Sequence, residues 1–395
     1  MPKISPNAEG QIKISRDFFL RRQLDPAGEY WLDERDGDFI LHPIRPDARK
    51  LYIEVTTACN LTCQTCIRHS WSDPARFLNW ETFERILESI PAFPKLERVV
   101  LTSFGEPLLH PRLIEMVERL KALNLMVTVG TNGLLFNSKI AADFVRLGVD
   151  QVIFSIDGIQ PETYAGVRGA QQSEVLANIE RLNHTRRQTG AVKPAIGIEF
   201  VAIKSNAAEL IGLPELASRL GVARTVVSNI LPYTRDMNDE KLYSYEPIPP
   251  FKSMGYPVRS DAWIRWGVTE LPRMHWGAER KCGFVNDYAI VVGADGAVSP
   301  CYALSHSYQY YAVDGVEKQV SQLTFGNVNQ NSLAEIWMSE EYVHFRGEVR
   351  AFHFPSCPDC DLRDTCDLRA NNDACWGYNP SCADCLWAQG IVKCP

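Results

Sequence analysis

The sequence has no excess of positive charge and no long apolar run. Its 48 Asp and Glu residues outnumber the 41 Lys and Arg residues, which gives a net charge of −7. A nucleic-acid-binding protein needs a basic patch, so nucleic acid is not expected as a partner. No apolar stretch approaches the roughly 20 residues that cross a bilayer, and the first residues lack the apolar core of a secretion signal. We therefore expect a cytoplasmic protein without membrane contact.

Cysteine is missing from the long middle part of the chain. Of the 12 cysteines, three lie between Cys59 and Cys66, none occurs from residue 67 to residue 281, and nine lie between Cys282 and Cys394. Disulfides do not persist in a reducing cytoplasm. Cysteines in such a protein usually bind metals or take part in redox chemistry. The distribution therefore predicts two separate metal or redox regions.

The segment from residue 49 to 230 alternates between β-branched runs and amphipathic helical stretches. Strands separated by single helices are typical of a parallel α/β sheet, in which ligands bind at the carboxyl ends of the strands. The predicted strands cover 51–56, 98–103, 126–131, 151–156, 196–203 and 225–228. The predicted helices cover 80–91, 112–123, 138–147, 173–188 and 207–220.

Three other segments complete the predicted organisation. Residues 1–48 are expected to form a small hairpin unit, with strands at 10–14 and 38–41 on either side of a turn at 25–28. Residues 231–281 are rich in Pro, Tyr, Trp and Arg and predict a long connection over the open face of the sheet. Residues 282–395 are dense in cysteine, so metal binding is expected to hold them together.

The first cysteine group follows the first predicted strand directly, with the spacing Cys59-x3-Cys63-x2-Cys66. A structural zinc site needs four ligands, and His69 is a candidate fourth ligand, so zinc remains an alternative. A four-iron cluster held by only three cysteines leaves one iron open to an exogenous ligand, which is the arrangement that cleaves S-adenosylmethionine.

This CxxxCxxC loop at the end of the first strand resembles the radical SAM superfamily. The resemblance covers about residues 51–229 and implies a partial (β/α)6 barrel. It also implies a SAM-binding 4Fe-4S cluster on Cys59, Cys63 and Cys66, and reductive cleavage of S-adenosyl-L-methionine to a 5′-deoxyadenosyl radical.

Polar residues follow the later strands of the predicted barrel. By resemblance, Glu106 after the second strand accepts hydrogen bonds from the ammonium group of the cosubstrate. Ser155 and Asp157 after the fourth strand would face the ribose hydroxyls, and Arg168 the methionyl carboxylate. The predicted cosubstrate contacts are Gly105, Glu106, Asn132, Ser155, Asp157 and Arg168. An Asn-Gly pair such as Asn132-Gly133 is equally typical of a simple turn.

The second cysteine region has the spacing Cys282-x13-Gly-x4-Cys301, followed by Cys357-x2-Cys360-x5-Cys366. This spacing is similar to the SPASM extension of radical SAM enzymes, which binds one or two auxiliary 4Fe-4S clusters. By resemblance, one cluster is held by Cys282, Cys301 and Cys375. The other is held by Cys357, Cys360 and Cys366 with one cysteine of the tail, namely Cys382, Cys385 or Cys394.

Two points remain open in this region: which cysteine is not a cluster ligand, and whether some of the cysteines bind zinc instead. Two clusters with four cysteine ligands each would use all but one of the nine cysteines. The pairs Cys357-x2-Cys360 and Cys382-x2-Cys385 would also suit a zinc ribbon.

The resemblance gives the substrate class in outline. SPASM enzymes mostly modify peptides or proteins. The short sequence segments 227–234 and 385–395 resemble those of maturases linked to tungsten-dependent oxidoreductases. We therefore expect a maturase that modifies a peptide, protein or cofactor and takes electrons from a low-potential donor such as ferredoxin or flavodoxin. The alternatives are an anaerobic sulfatase maturase-like or other SPASM peptide-modifying enzyme, and a non-catalytic iron-sulfur or zinc-binding module.

Overall fold

The computed structural model describes most of the chain. The described residues are 7–9, 11–35, 37–71, 73–102, 104–245, 269–270, 272, 279–373, 375–376 and 382–394. Most of the predicted connection at 231–281 therefore lies outside the described residues, as does the last residue of the second predicted strand, Ser103. No helix in the described part is long and apolar enough to cross a membrane.

Thirteen strands occur in the described residues, and nine of them form one sheet. The strands are β1 (Tyr30–Arg35), β2 (Asp38–Pro43), β3 (Lys50–Ile53), β4 (Arg98–Leu101), β5 (Met126–Thr131), β6 (Gln151–Ser155), β7 (Ala195–Ala202), β8 (Val222–Asn229), β9 (Thr269–Glu270), β10 (Ala289–Val292), β11 (Val298–Ser299), β12 (Tyr308–Tyr311) and β13 (Glu317–Val320). The sheet order is β11-β10-β3-β4-β5-β6-β7-β8-β9, and its pairs are parallel except β10 with β11. The predicted α/β class with a parallel sheet is confirmed.

Helices connect the parallel strands in the order expected for right-handed crossovers. They are α1 (Arg16–Arg21), α2 (Trp80–Ser89), α3 (Leu113–Ala122), α4 (Ser138–Leu147), α5 (Pro161–Arg168), α6 (Gln172–Thr189), α7 (Leu213–Arg219), α8 (Arg235–Asp239), α9 (Gly283–Asn286), α10 (Leu333–Met338) and α11 (Glu340–Ala351). The helix predicted at 207–220 is divided into a 3₁₀ segment, Ala207–Gly212, and α7. The division falls beside Pro214, which has no backbone N–H to continue the hydrogen-bond pattern.

Side-chain caps fix where the main helices begin. The Asn79 side chain accepts a hydrogen bond from Thr82 N before α2, and Asn137 accepts from Ile140 N before α4. Such caps satisfy backbone donors that have no partner within the helix. The core between helices and sheet is aromatic and almost fully buried, with Phe83, Phe136, Phe144, Phe154 and Phe200.

The N-terminal hairpin differs from the prediction. Residues 11–15 form no strand, and β1 instead pairs antiparallel with β2, with Leu32 opposite Leu41. The prediction of a strand at 10–14 is therefore wrong. The segment is largely exposed, with Ile12 at 50%, and β1 lies closer in sequence to β2 and already occupies its pairing edge.

Strands from the cysteine-rich region extend the barrel sheet. β10 and β11 form an antiparallel hairpin that turns near residue 295, and β10 lies parallel to β3, with Ile290 beside Leu51. A second cluster of apolar residues, which includes Tyr52 and Tyr302, packs the region after residue 282 against this side of the sheet. The division of the chain into four segments remains a prediction. Backbone pairing between β3 and β10 joins the first and second cysteine regions.

A glycine after β4 allows the ends of β3 and β4 to approach each other closely. Glu106 N donates to Ala58 O at 2.8 Å. A Cβ atom on Gly105 would lie 2.1 Å from Thr56 O and 2.8 Å from Ala58 O. Only glycine fits between these backbones, so Gly105 sets the position of the loop that carries the first cysteines.

We expect Gly105→Ala to destabilise the protein by about 1–3 kcal/mol, because the added methyl group must displace backbone atoms. Gly166→Ala is the matched control, since a Cβ on Gly166 of α5 would meet no atom within 4 Å. That control should be neutral or stabilising by up to about 1 kcal/mol. Chemical denaturation under anaerobic conditions measures both, and equal midpoints for the two variants would contradict the steric argument.

Candidate active site

A cavity of about 230 Å³ opens at the carboxyl ends of the parallel strands. All nine residues predicted for the first cluster and its cosubstrate line this one cavity. They are Cys59, Cys63, Cys66, Gly105, Glu106, Asn132, Ser155, Asp157 and Arg168. Parallel strands bring their carboxyl ends to one edge of the sheet, which explains how residues 109 positions apart in sequence meet in one place.

Backbone contacts hold the first cysteine loop in place. The Arg68 guanidinium donates to Thr57 O at 2.9 Å and to Leu61 O at 3.2 Å, so it bridges the two ends of the loop. Gln64 N donates to Val167 O at 2.8 Å, which connects the loop to α5. The loop therefore has a defined shape that does not depend on a bound group alone.

The surroundings of two thiols in this loop, those of Cys63 and Cys66, favour metal binding. Burial raises the pKa of the Cys63 thiol to about 11, although Arg168 opposes the shift. Burial also raises the pKa of Cys66. Metal binding replaces thiol protons, so a positively charged centre is what would make thiolates favourable in this environment.

A single zinc ion does not fit these cysteines. The His69 ring nitrogen Nε2 lies 3.2 Å from the carbonyl oxygen of Cys63, so it faces the backbone instead of completing a Cys3His set. A zinc ion with bonds of about 2.3 Å requires sulfurs about 3.8 Å apart. Among the described residues, no three cysteine sulfurs lie within 4.8 Å of one another. Wider spacing suits a cubic cluster, in which each cysteine binds a different iron.

Glu106 lies at the centre of a buried hydrogen-bond network and is 1% exposed. Its Oε1 accepts from Thr131 Oγ1 at 2.8 Å and from Leu108 N at 3.0 Å, while its Oε2 accepts from Asn132 N at 2.6 Å. Burial raises the pKa of Glu106, and these hydrogen bonds oppose the shift. The carboxylate therefore fixes the end of β5 to the end of β4.

Asn132 continues this network to the cysteine loop. Its Nδ2 donates to Asn60 Oδ1 at 2.8 Å and lies 3.8 Å from Cys59 Sγ. Asn132 Oδ1 also accepts from Leu134 N at 3.0 Å, which is the turn geometry expected of an Asn-Gly pair. The residue thus forms a turn and also contacts the loop, so the two interpretations of Asn132 are compatible.

Asp157 and Arg168 form a buried ion pair. Arg168 Nη1 donates to Asp157 Oδ2 at 2.6 Å, and Asp157 Oδ1 accepts from Val201 N at 2.8 Å. The resemblance implied that Asp157 contacts the ribose and that Arg168 contacts the methionyl carboxylate. In the structure the two side chains bind each other. Arg168 Nε is buried and has no hydrogen-bond partner among the described residues, so the guanidinium retains a donor at the cavity.

Sequence reasoning missed Glu199, which also lines the cavity. Burial and the nearby charge of Asp157 raise the pKa of this carboxyl to about 7. Glu199 lies within β7 and belongs to no motif. Its apolar neighbours along the strand give no signal in the sequence that this position faces a ligand cavity.

The C-terminal tail forms another wall of the cavity. Asn229 N donates to Ile391 O at 3.2 Å, and Lys393 N donates to Ser228 Oγ at 3.0 Å, so the tail binds to the end of β8. Trp387, Val392, Lys393 and Cys394 line the cavity from this side. The Trp387 indole N–H donates to Cys394 Sγ at 3.1 Å. The only signal for such a thiol in the sequence was the number of cysteines in the second region, because nine cysteines exceed the ligands of two four-cysteine clusters by one.

Four other cysteines line a second cavity of about 50 Å³, namely Cys282, Cys301, Cys382 and Cys385. Burial raises the pKa of Cys282 to about 12, and it also raises the pKa values of Cys301 and Cys382 well above the ordinary value of a thiol. The resemblance placed Cys375 with Cys282 and Cys301, whereas Cys375 is exposed and does not line this cavity. The zinc-ribbon alternative paired Cys382 and Cys385 with Cys357 and Cys360, which also lie outside it.

Comparison with known families identifies two regions of the chain. The sequence profile of the Radical SAM superfamily matches residues 53–190, and the profile of the SPASM iron-sulfur cluster-binding domain matches residues 282–361. The first match contains Cys59, Cys63 and Cys66. The second contains Cys282, Cys301, Cys357 and Cys360.

Two relatives resemble the chain over most of its length. The tungsten-containing aldehyde ferredoxin oxidoreductase cofactor-modifying protein of Pyrococcus furiosus is 37% identical over 349 residues, which cover 87% of this chain and 96% of the relative. The PqqA peptide cyclase of Gluconobacter oxydans is 25% identical over 310 residues, which cover 75% of this chain and 78% of the cyclase.

Streptococcus suis SuiB bound to S-adenosylmethionine has a similar fold, with a TM-score of 0.59 at 17% identity over 83% of this chain and 73% of SuiB. This likeness concerns the fold alone. The similarity to the Pyrococcus furiosus protein, by contrast, extends along nearly the whole of that relative. The chain therefore belongs to the radical SAM superfamily and is a radical SAM enzyme with a SPASM iron-sulfur cluster-binding domain.

Proposed function

We propose that the chain is a maturase that modifies a component of a tungsten-dependent oxidoreductase system, its cofactor or a partner peptide. The observation that carries the proposal is the convergence of three cysteines and the polar strand ends on one cavity. The name of the Pyrococcus furiosus relative supports the choice of substrate system. A ferredoxin or flavodoxin would supply the electron.

In this proposal Cys59, Cys63 and Cys66, which line the cavity, would hold a 4Fe-4S cluster and leave one iron without a protein ligand. When bound, the cluster supplies the electron that cleaves S-adenosylmethionine, and the resulting 5′-deoxyadenosyl radical takes a hydrogen atom from the substrate. Arg168 is oriented by Asp157 and presents its remaining N–H donor to the methionyl carboxylate. Charge-assisted hydrogen bonds of this kind give both affinity and orientation.

Glu106 and Asn132 position the reacting groups in this proposal. Glu106 is close enough to the cavity to interact with the cosubstrate ammonium, and it also holds the strand end from which Asn132 contacts the cysteine loop. Ser155 lines the same wall as Asp157 and is proposed to face the ribose. Trp387 and the tail close the far side, which would limit the access of water to a reactive radical.

We also propose how the other nine cysteines are divided. Cys282, Cys301, Cys382 and Cys385 hold one auxiliary 4Fe-4S cluster, because these four line one cavity. Cys357, Cys360, Cys366 and Cys375 hold the other, supported by the charge interaction between Cys357 and Cys366. Cys394 is then the cysteine left over, and it lies in the cosubstrate cavity.

The function is tested with anaerobically purified protein, S-adenosylmethionine, a low-potential reductant and the apo form of a tungsten oxidoreductase or its cofactor. We expect 5′-deoxyadenosine to form, together with a change of mass in the cofactor or in a peptide of that system. Formation of 5′-deoxyadenosine with no such change, but with modification of a sulfatase peptide, would favour the sulfatase maturase alternative.

We expect Cys63→Ala to abolish 5′-deoxyadenosine formation and to lower the iron content by about four atoms per chain out of about twelve. The auxiliary clusters should persist, because their proposed ligands lie in the other cysteine region. Thr62→Ala is the control, since it alters an exposed side chain of the same loop. Iron analysis and a product assay measure the effect, and cleavage by the Cys63→Ala variant would refute the ligand assignment.

We expect Glu106→Gln to raise the dissociation constant for S-adenosylmethionine about tenfold or more, because hydrogen bonds to a charged group are worth about 1.5–3 kcal/mol. The iron content should stay at the wild-type value. Glu88→Gln changes an exposed glutamate of α2 and serves as the control. Equilibrium binding provides the measurement, and an unchanged dissociation constant would exclude a role for the Glu106 carboxylate in binding.

We expect Cys394→Ser to keep the full iron content, whereas Cys382→Ser should lose about four irons per chain. The reason is that Cys382 lines the four-cysteine cavity and Cys394 lies outside it. Anaerobic iron and sulfide analysis distinguishes the two variants. An equal loss of iron in both would show that Cys394 is a cluster ligand and that the proposed division is incorrect.

A further inference from the structure

Three potential metal ligands converge at the junction of the N-terminal hairpin and helix α11. Asp33 lies on β1, His42 on β2 and His344 on α11. Their ligand atoms lie within 4.8 Å of one another. Asp33 Oδ2 is 3.6 Å from His42 Nε2 and 3.4 Å from His344 Nδ1. None of these residues belongs to either cysteine region, so the cluster requires a separate explanation.

The two distances are longer than those of ordinary hydrogen bonds between nitrogen and oxygen, which are about 2.7–3.2 Å. Zinc bonds to nitrogen and oxygen are about 2.0–2.2 Å, so the ligand atoms of a tetrahedral site lie about 3.4 Å apart. The two observed separations, 3.6 Å and 3.4 Å, are close to this spacing.

The fold provides specific space for the His42 ring. A Cβ on Gly347 would lie 2.3 Å from His42 Cε1, so the ring packs against the helix backbone where only glycine leaves room. His344 precedes Gly347 by three residues and therefore lies on the same face of α11. The His42 side chain is 11% exposed and that of His344 is 45% exposed. The cluster thus has a buried side and a side open to solvent, from which an ion can enter.

The hairpin formed by β1 and β2 has little apolar packing of its own, so a further contact would stabilise it. A two-stranded hairpin alone is marginally stable in water. Leu32 and Phe39 are each 62% exposed, so much of its apolar surface contributes little to folding. The Trp31 indole donates to Met338 O at 3.2 Å at the same junction. A metal ion shared between both strands and the helix would add the constraint that the apolar packing lacks.

We propose that Asp33, His42 and His344 bind one Zn²⁺ ion, with water in the remaining position, and that this ion fixes the N-terminal hairpin to α11. Two neutral imidazoles and a carboxylate are ligands that zinc accepts readily. The site is structural and independent of the iron-sulfur chemistry.

The test uses the full chain with its clusters intact, titrated with Zn²⁺ against a competing chromophoric chelator. We expect one high-affinity zinc per wild-type chain. His344→Gln should weaken zinc binding about tenfold or more, since it removes one of three protein ligands. His184→Gln is the matched control, because His184 is an exposed histidine on α6, and it should bind zinc as the wild type does. Iron per chain should be equal in all three proteins.

Hydrogen exchange supplies a readout that does not depend on stoichiometry. Zinc should slow the exchange of backbone amides at 30–43 in the wild type and in His184→Gln, but not in His344→Gln. Equal zinc affinity in all three proteins would overturn the proposal, because the ion would then occupy another site such as vacant cysteines. Zinc that binds without slowing exchange in the hairpin would also overturn it.

Discussion

The geometry of the active-site cavity depends on one buried carboxylate. Glu106 accepts hydrogen bonds from Thr131, from the backbone of Asn132 and from Leu108, and it is almost completely removed from solvent. A buried carboxylate without such donors would be strongly unfavourable. With them, it joins the ends of neighbouring strands, and Asn132 extends the connection to the cysteine loop. The positions of the first cysteines thus depend on a residue that is not itself a proposed cluster ligand.

The C-terminal tail joins the two cysteine regions in a comparable way. Trp387 lines both the active-site cavity and the four-cysteine cavity, and Cys385 lies two residues before it. The tail also binds to the end of β8 through the carbonyl of Ile391. Any change that displaces the tail would therefore alter both cavities at once.

Much of the barrel could be predicted because its signals are local. The predicted strand at 126–131 has the same limits as β5, since a β-branched run ends directly before the Asn132-Gly133 turn. The CxxxCxxC spacing and the strand-end residues also lie within short segments, so their convergence on one edge followed from the parallel sheet. The prediction of a strand at 10–14 was wrong, because two isoleucines at alternate positions do not indicate which strand the segment would pair with.

The grouping of the distant cysteines could not be predicted in the same way. Cys282 and Cys382 are 100 positions apart in sequence, and both pack against the apolar cluster of Val285, Val349 and Phe354. Family spacing suggested Cys375 as the partner of Cys282 and Cys301, but spacing alone does not determine which distant residues pack together. Glu199 illustrates the same limit, because it lines the cavity from within β7 and belongs to no motif.

The charges around the active-site cavity favour a cationic ligand. Glu106, Asp157 and Glu199 line it together with Arg168, which is already paired with Asp157, and with Lys393. Burial raises the pKa values of Glu106 and Glu199, which means that ionising them is unfavourable in the absence of positive charge. A sulfonium or ammonium group brought into this space would favour the ionised carboxylates and be held by them in turn.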